Sequence, residues 1–127
     1  MTDPLPASVD RTQLTMALRA IVINSLQALG AEGDVDVAVK RARAGGDGGA
    51  PCACIAVEDT GPGIPPHVRR HLFDPFYSGR EAGRGLGLGL AKCWRVVSLH
   101  GGRIDVTSAP RQGTIFSVTL PLETASR

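Results

Sequence analysis

Apolar residues at Leu14, Ala17, Leu18, Ile21, Val22 and Leu29, with the small Ser25 among them, recur at steps of three and four, the spacing that lines one face of a helix. Asp10 followed three residues later by Gln13 reads as a capping box at the start of that helix, and Gly30 stands where it should stop. Ala20, Asn24 and Gln27 share a flank beside the apolar stripe. The period then changes to two. Val35, Val37 and Val39 alternate with Asp36, Ala38 and Lys40, which predicts a half-buried strand. The glycine-rich run from Ala44 to Pro51 is a loose connection, and a second strand follows over about Cys52–Glu58, with Ala53, Ile55 and Val57 on one face and Asp59 at its end.

A short helix is expected over His67–Leu72, and a longer one from about Leu88 to Leu99, with Leu86, Leu90, Cys93 and Val97 at helical spacing and Gly101-Gly102 as its stop. Two closing strands, about Arg103–Ser108 and Thr114–Leu120, are joined by a short turn and therefore form a hairpin. Helices with a single apolar face, together with strand pairs joined by turns, predict a two-layer α/β sandwich. Its sheet is expected to be mixed, mostly antiparallel, and covered on one face by helices.

Composition narrows the function. A chain of 127 residues that is 43% hydrophobic suits one domain with one core, expected over about residues 10–121 with flexible ends. Fourteen basic residues against 12 acidic ones give a formal charge of +2, too balanced for a nucleic-acid or membrane surface. No stretch reaches the roughly 18 apolar residues of a membrane span. Met1–Pro6 has none of the basic-then-apolar pattern of a secretory signal. Cys52, Cys54 and Cys93 form no disulfide framework, and no second Cys or His pair stands at metal-ligand spacing. A reducing, cytoplasmic setting is expected, with room for a membrane anchor elsewhere in a longer protein.

The 16 glycines are clustered, which marks backbone that bends unusually or approaches a ligand closely. In Asp59-x-Gly61-x-Gly63-Ile64, a carboxylate at a strand end suits an exocyclic amine, and two glycines let backbone close on a flat base; a plain turn with a solvated Asp is the other reading. In Gly83-Arg84-Gly85-Leu86-Gly87-Leu88-Gly89, freed backbone N–H groups running into a helix N-terminus suit phosphates, unless the stretch is only a flexible loop. No strand of a βαβ unit precedes these glycines, and no Gly-Lys-Ser/Thr follows, which excludes a Rossmann fingerprint and a P-loop. Asn24 is either a surface amide or a hard oxygen ligand for Mg²⁺. Arg80 and Arg84 are either solvated loop charges or partners of a transferring phosphate.

Taken in order, the Asn24 helix, Asp59–Pro65, Leu72-Phe73-Asp74-Pro75-Phe76-Tyr77-Ser78 and Gly85–Leu90 resemble the catalytic, ATP-binding domain of sensor histidine kinases. His100–Ile104 through Ser108, then Gly113-Thr114-x-Phe116 through Pro121, is similar to the same family's closing hairpin. The resemblance implies the Bergerat-type fold of the GHKL superfamily, with ATP and Mg²⁺ as cofactors. It makes Asn24 the Mg²⁺ ligand and Asp59 the acceptor of the adenine amino group. Gly61, Gly63 and Ile64 shape the base pocket, and Gly113 and Thr114 line its back. Residues from Asp74 to Leu86, with Phe76, form a lid. Arg80 reaches the terminal phosphate beside Arg84, and Gly85, Leu86, Gly87, Leu88 and Gly89 supply the hinge and phosphate cradle.

Three positions depart from that pattern: Ala20 and Gln27 where the family usually has a polar and a basic residue, and Leu86 where Thr or Ser is frequent. They bear on the rate of phosphoryl transfer more than on binding. None of His67, His71 and His100 is followed by the acidic residue that marks an acceptor histidine, and no dimerising helical hairpin precedes residue 10. The resemblance therefore implies a partner: the histidine-bearing dimerisation domain of the same kinase, with a response regulator downstream. The competing reading is a nucleotide-binding module without transfer activity that acts as sensor or docking domain. A stand-alone serine kinase of the anti-sigma type fits the Phe73–Phe76 motif and the long lid less well.

Overall fold

The computed structural model describes residue 7 and residues 9–29, 32–43, 48–74, 89–108 and 112–122. In chain order the elements are α1 (Arg11–Leu29), β1 (Val35–Arg43), β2 (Pro51–Asp59), α2 (Pro66–Arg69), α3 (Gly89–Leu99), β3 (Arg103–Ser108) and β4 (Thr114–Pro121). The strands form one sheet in the order β1-β2-β4-β3, and every described pairing is antiparallel. The antiparallel part of the expected mixed sheet is thus present, and no parallel pair occurs among the described residues.

Helix α1 begins as its sequence predicts, with the Asp10 carboxylate accepting from the Gln13 N–H at 2.9 Å. The return half of the capping box is filled differently. The Asp10 N–H donates to His100 Nε2 at 2.9 Å, while His100 Nδ1 lies 2.7 Å from the Val96 carbonyl, where it donates. The end of α3 thereby closes the start of α1.

Both long helices lie on one face of the sheet and pack on each other; α1 sits chiefly over β2, and α3 over β3 and β4. Between the layers, Ile21 of α1, Val57 of β2, Val97 of α3 and Phe116 and Val118 of β4 are fully buried. Phe73, in the turns that follow α2, meets Phe116 edge to face with centroids 6.5 Å apart. Where α1 meets α3, the Cys93 thiol donates to the Ala17 carbonyl at 3.0 Å, and burial pushes its pKa up to about 11.

Two expectations change. The short helix is one turn, Pro66–Arg69, continued by i+3 bonds such as His71 N–H to Val68 O. On β1, Val37 and Val39 are 55% and 57% exposed, so the strand is not half-buried. Its alternation is real, and Val37 lies opposite the buried Val57, but β1 is an edge strand that the core reaches at Val35 and leaves exposed at Val37 and Val39. Among the described residues, no helix is long and apolar enough to cross a membrane.

Candidate functional site

Four polar side chains are buried among the described residues: Asn24 and Ser25 on α1, Asp59 at the end of β2 and Thr114 at the start of β4. Asp59 and Thr114 are register partners across β2 and β4, so their side chains stand on the same face. Asp59 Oδ1 accepts from the Gly61 N–H at 2.9 Å, which folds the loop after β2 back over the carboxylate. The start of that loop is pinned to the residue just before β1, with Thr60 N–H donating to Asp34 O and Asp34 N–H to Thr60 Oγ1.

The loop also touches α1. A Cβ built on Gly61 would stand 3.6 Å from the Ala28 carbonyl oxygen and 3.7 Å from Ala28 Cβ. Ala28 lies four residues beyond Asn24, on the same helix face and about 6 Å along the axis. Asn24 and the Asp59–Gly61 corner therefore flank one region between helix and sheet. Asn24 is only 3% exposed, and neither its Oδ1 nor its Nδ2 has a hydrogen-bond partner among the described residues. The sequence put Asn24 on a flank; the structure buries it, and the loop after β2 reaches α1 one turn away, at Ala28. An amide buried without partners costs about 1–3 kcal/mol, which a ligand able to bond it would recover.

Gly63 and Ile64 are buried in the same loop, and Ile64 N–H donates to Ser108 Oγ at 2.6 Å. Gly113 has a φ of 81°, and a Cβ there would collide with the Asp59 carbonyl oxygen, so only glycine lets the hairpin come this close. Asp59, Gly61, Gly63, Ile64, Gly113 and Thr114 are thus brought together, and they border α1 at Ala28, one turn from Asn24. Phe76, Arg80, Arg84, Gly85, Leu86, Gly87 and Leu88 lie outside the described residues. Gly89 opens α3, so a helix N-terminus follows the glycine-rich stretch directly. Ala20 is half-buried and Gln27 is exposed.

Sequence reasoning missed Ser108, reading it only as the last residue of a strand. Its hydroxyl also lies 3.2 Å from the Gly113 carbonyl and 3.0 Å from Thr114 Oγ1. A serine closing a strand opposite a threonine was the available signal, but its third partner, Ile64, is 44 residues away in the chain.

Residues 9–124 match the model of the histidine kinase-, DNA gyrase B-, and HSP90-like ATPase family, and the chain belongs to that family. The sensory histidine kinase/phosphatase NtrB of Salmonella typhimurium is 44% identical over 117 residues, which cover 89% of this chain and 33% of NtrB. Among solved structures, the mycobacterial sensor histidine kinase MprB superposes with a TM-score of 0.75 at 28% identity, covering 92% of this chain and 77% of that one. Full-length ShkA in complex with AMPPNP gives a TM-score of 0.75 at 30% identity, covering 98% of this chain and 25% of ShkA. The chain spans about a third of the length of the NtrB relatives it matches.

Proposed function

We propose that this chain is the ATP-binding catalytic domain of a sensor histidine kinase, passing the γ-phosphoryl group of Mg²⁺-ATP to a histidine on a separate dimerisation domain. The observation that carries this reading is the buried, unpartnered carboxamide of Asn24, one helical turn from the Asp59–Gly61 corner. A carboxamide oxygen is a hard ligand, and Mg²⁺ is usually held by one or two protein oxygens with phosphates and water completing its shell. Asn24 would hold the metal, which supplies charge neutralisation for the phosphates.

Asp59 accepts from the adenine amino group, and Gly61, Gly63, Ile64, Gly113 and Thr114 wall the base. Phe76 belongs to the lid, and Arg80 and Arg84 meet the phosphates beside the N–H groups of the Gly85–Gly89 stretch. Catalysis by these residues is positioning and charge stabilisation, the general requirement of phosphoryl transfer. The reading places the domain in the cytoplasm, where ATP is available, with a response regulator acting downstream of the phosphorylated histidine.

NtrB and MprB carry names of sensor histidine kinases, which supports transfer to histidine over simple nucleotide sensing. The test mixes the chain with the histidine-bearing helical segment of the same kinase and labelled Mg²⁺-ATP. Acid-labile phosphohistidine on that segment is expected. Binding of ATP without any transfer would instead identify a nucleotide-binding module, the outcome that Ala20 and Gln27 would then explain.

A further inference from the structure

The Ser108 hydroxyl has one proton and two lone pairs, and three partners surround it: Ile64 N–H at 2.6 Å, the Gly113 carbonyl at 3.2 Å and Thr114 Oγ1 at 3.0 Å. A carbonyl only accepts, so the serine proton goes to Gly113. A backbone N–H only donates, so Ile64 takes one lone pair. The other lone pair is left for the Thr114 hydroxyl, so the arrangement in which all three contacts are hydrogen bonds makes Thr114 the donor. Ser108 is itself held in place, since its own carbonyl accepts from the Arg69 guanidinium at 3.4 Å.

The consequence falls on the polarity of the pocket. Thr114 is buried and stands opposite Asp59 across the sheet, with Cβ atoms about 4.5–5.5 Å apart for such a pair. With its proton committed to Ser108, Thr114 turns only lone pairs elsewhere, and a carboxylate likewise only accepts. We propose that Ser108 is a specificity-determining residue. By holding the Thr114 proton, it leaves only acceptors from Asp59 and Thr114 for the group at the 6-position of a purine, which receives an amino group there and repels an oxo oxygen. Adenine offers an amino donor at the position where guanine offers an acceptor oxygen. Without Ser108 the Thr114 hydroxyl is free to rotate and donate, and guanine is no longer refused on that side. This rests on the nucleotide reading above.

The test is a set of calorimetric titrations of the chain with Mg²⁺-ATP, Mg²⁺-GTP and inorganic triphosphate. Turning one neutral hydrogen bond from repulsive to attractive is expected to lower the ATP-to-GTP affinity ratio about tenfold in Ser108→Ala, with triphosphate affinity within about twofold. Ser108→Thr, which keeps a hydroxyl, should keep the ratio of the unaltered chain. Ser108→Cys, close in shape but a poor acceptor, should behave as Ser108→Ala and serves if the alanine variant does not fold. A ratio unmoved in both the Ala and Cys variants overturns the proposal. So does an equal loss for ATP, GTP and triphosphate, which marks a merely structural serine. Failure of the unaltered chain to bind ATP would instead sink the nucleotide reading itself, and Asp59→Asn separates the two further. If it lowers the ratio while both Ser108 variants do not, only the role of Ser108 falls.

Discussion

Replacing Asn24 by leucine should make the free protein more stable and its nucleotide site useless. The two side chains branch alike at Cγ with equal numbers of heavy atoms, leucine being the bulkier, and the position is 3% exposed with two unpartnered amide atoms. Removing a buried amide that bonds nothing recovers about 1–3 kcal/mol. Leucine adds a few tenths of a kcal/mol, on the order of 0.4, as the better helix former. For a domain of this size, each kcal/mol moves Tm by roughly 3–5 °C, so scanning calorimetry of Asn24→Leu without nucleotide should show Tm higher by about 4–15 °C. Titration with Mg²⁺-ATP should give binding weaker by at least the roughly 10- to 100-fold that losing a mere supporting partner of a metal ligand costs. A gain in stability paid for by lost function is the mark of a position kept for its ligand. A lower Tm would show that the amide is already satisfied in the free protein, and undiminished Mg²⁺-ATP affinity would refute its role as ligand.

Three further outcomes are expected. Asp59→Asn should weaken ATP and ADP about 10- to 100-fold in calorimetry while leaving inorganic triphosphate nearly unchanged, since a charged hydrogen bond to the base is worth about 1.5–3 kcal/mol; equal losses for all three would show that Asp59 does not read the base. Cys93, with its pKa raised from 9.0 to about 11 by burial, binds its proton more tightly folded than unfolded, so its contribution is intact below pH 9 and is lost as pH rises towards 11. Denaturant titrations should show stability falling over that window by about 2 kcal/mol more in the unaltered chain than in Cys93→Ala, and parallel curves would refute it. Mass spectrometry after incubation with Mg²⁺-ATP should find the chain unmodified: both ring nitrogens of His100 are engaged, and His71 Nδ1 faces Asp74 Oδ2 at 3.0 Å, so a stoichiometric phosphate on His67, His71 or His100 would contradict the need for a separate acceptor.

What the sequence revealed and what it concealed follow the range of each interaction. The α1 stripe and the boundaries of β2, β3 and β4 come from local periodicity, and they agree with the observed elements to within a residue or two. Val37 and Val39 misled because alternation tells which residues share a face, not whether another layer covers it. Asn24 looked like a flank residue because helical periodicity shows which residues share a face, not what tertiary structure covers that face. Asp59, Gly61 and Gly63 could be singled out because they fall within five residues of chain, and the structure buries Asp59 and Gly63; their roles at a nucleotide belong to the proposed function. Ser108 and His100 could not, because each joins segments distant in the chain: Ser108 ties β3 to the loop at Ile64, and His100 ties α3 to Asp10. The glycine and arginine positions from 80 to 88 remain expectations from sequence.

The most direct test of a nucleotide site between α1 and the β2–β4 end of the sheet is a titration of the isotope-labelled chain with Mg²⁺-ATP, followed by NMR. The side-chain amide of Asn24 and the backbone amides of Gly61, Gly63, Ile64 and Thr114 should shift together along one saturation curve, while those of Cys54 and Ser117, farther along β2 and β4, stay in place. Shifts confined to other regions, or none at millimolar nucleotide, would contradict the site.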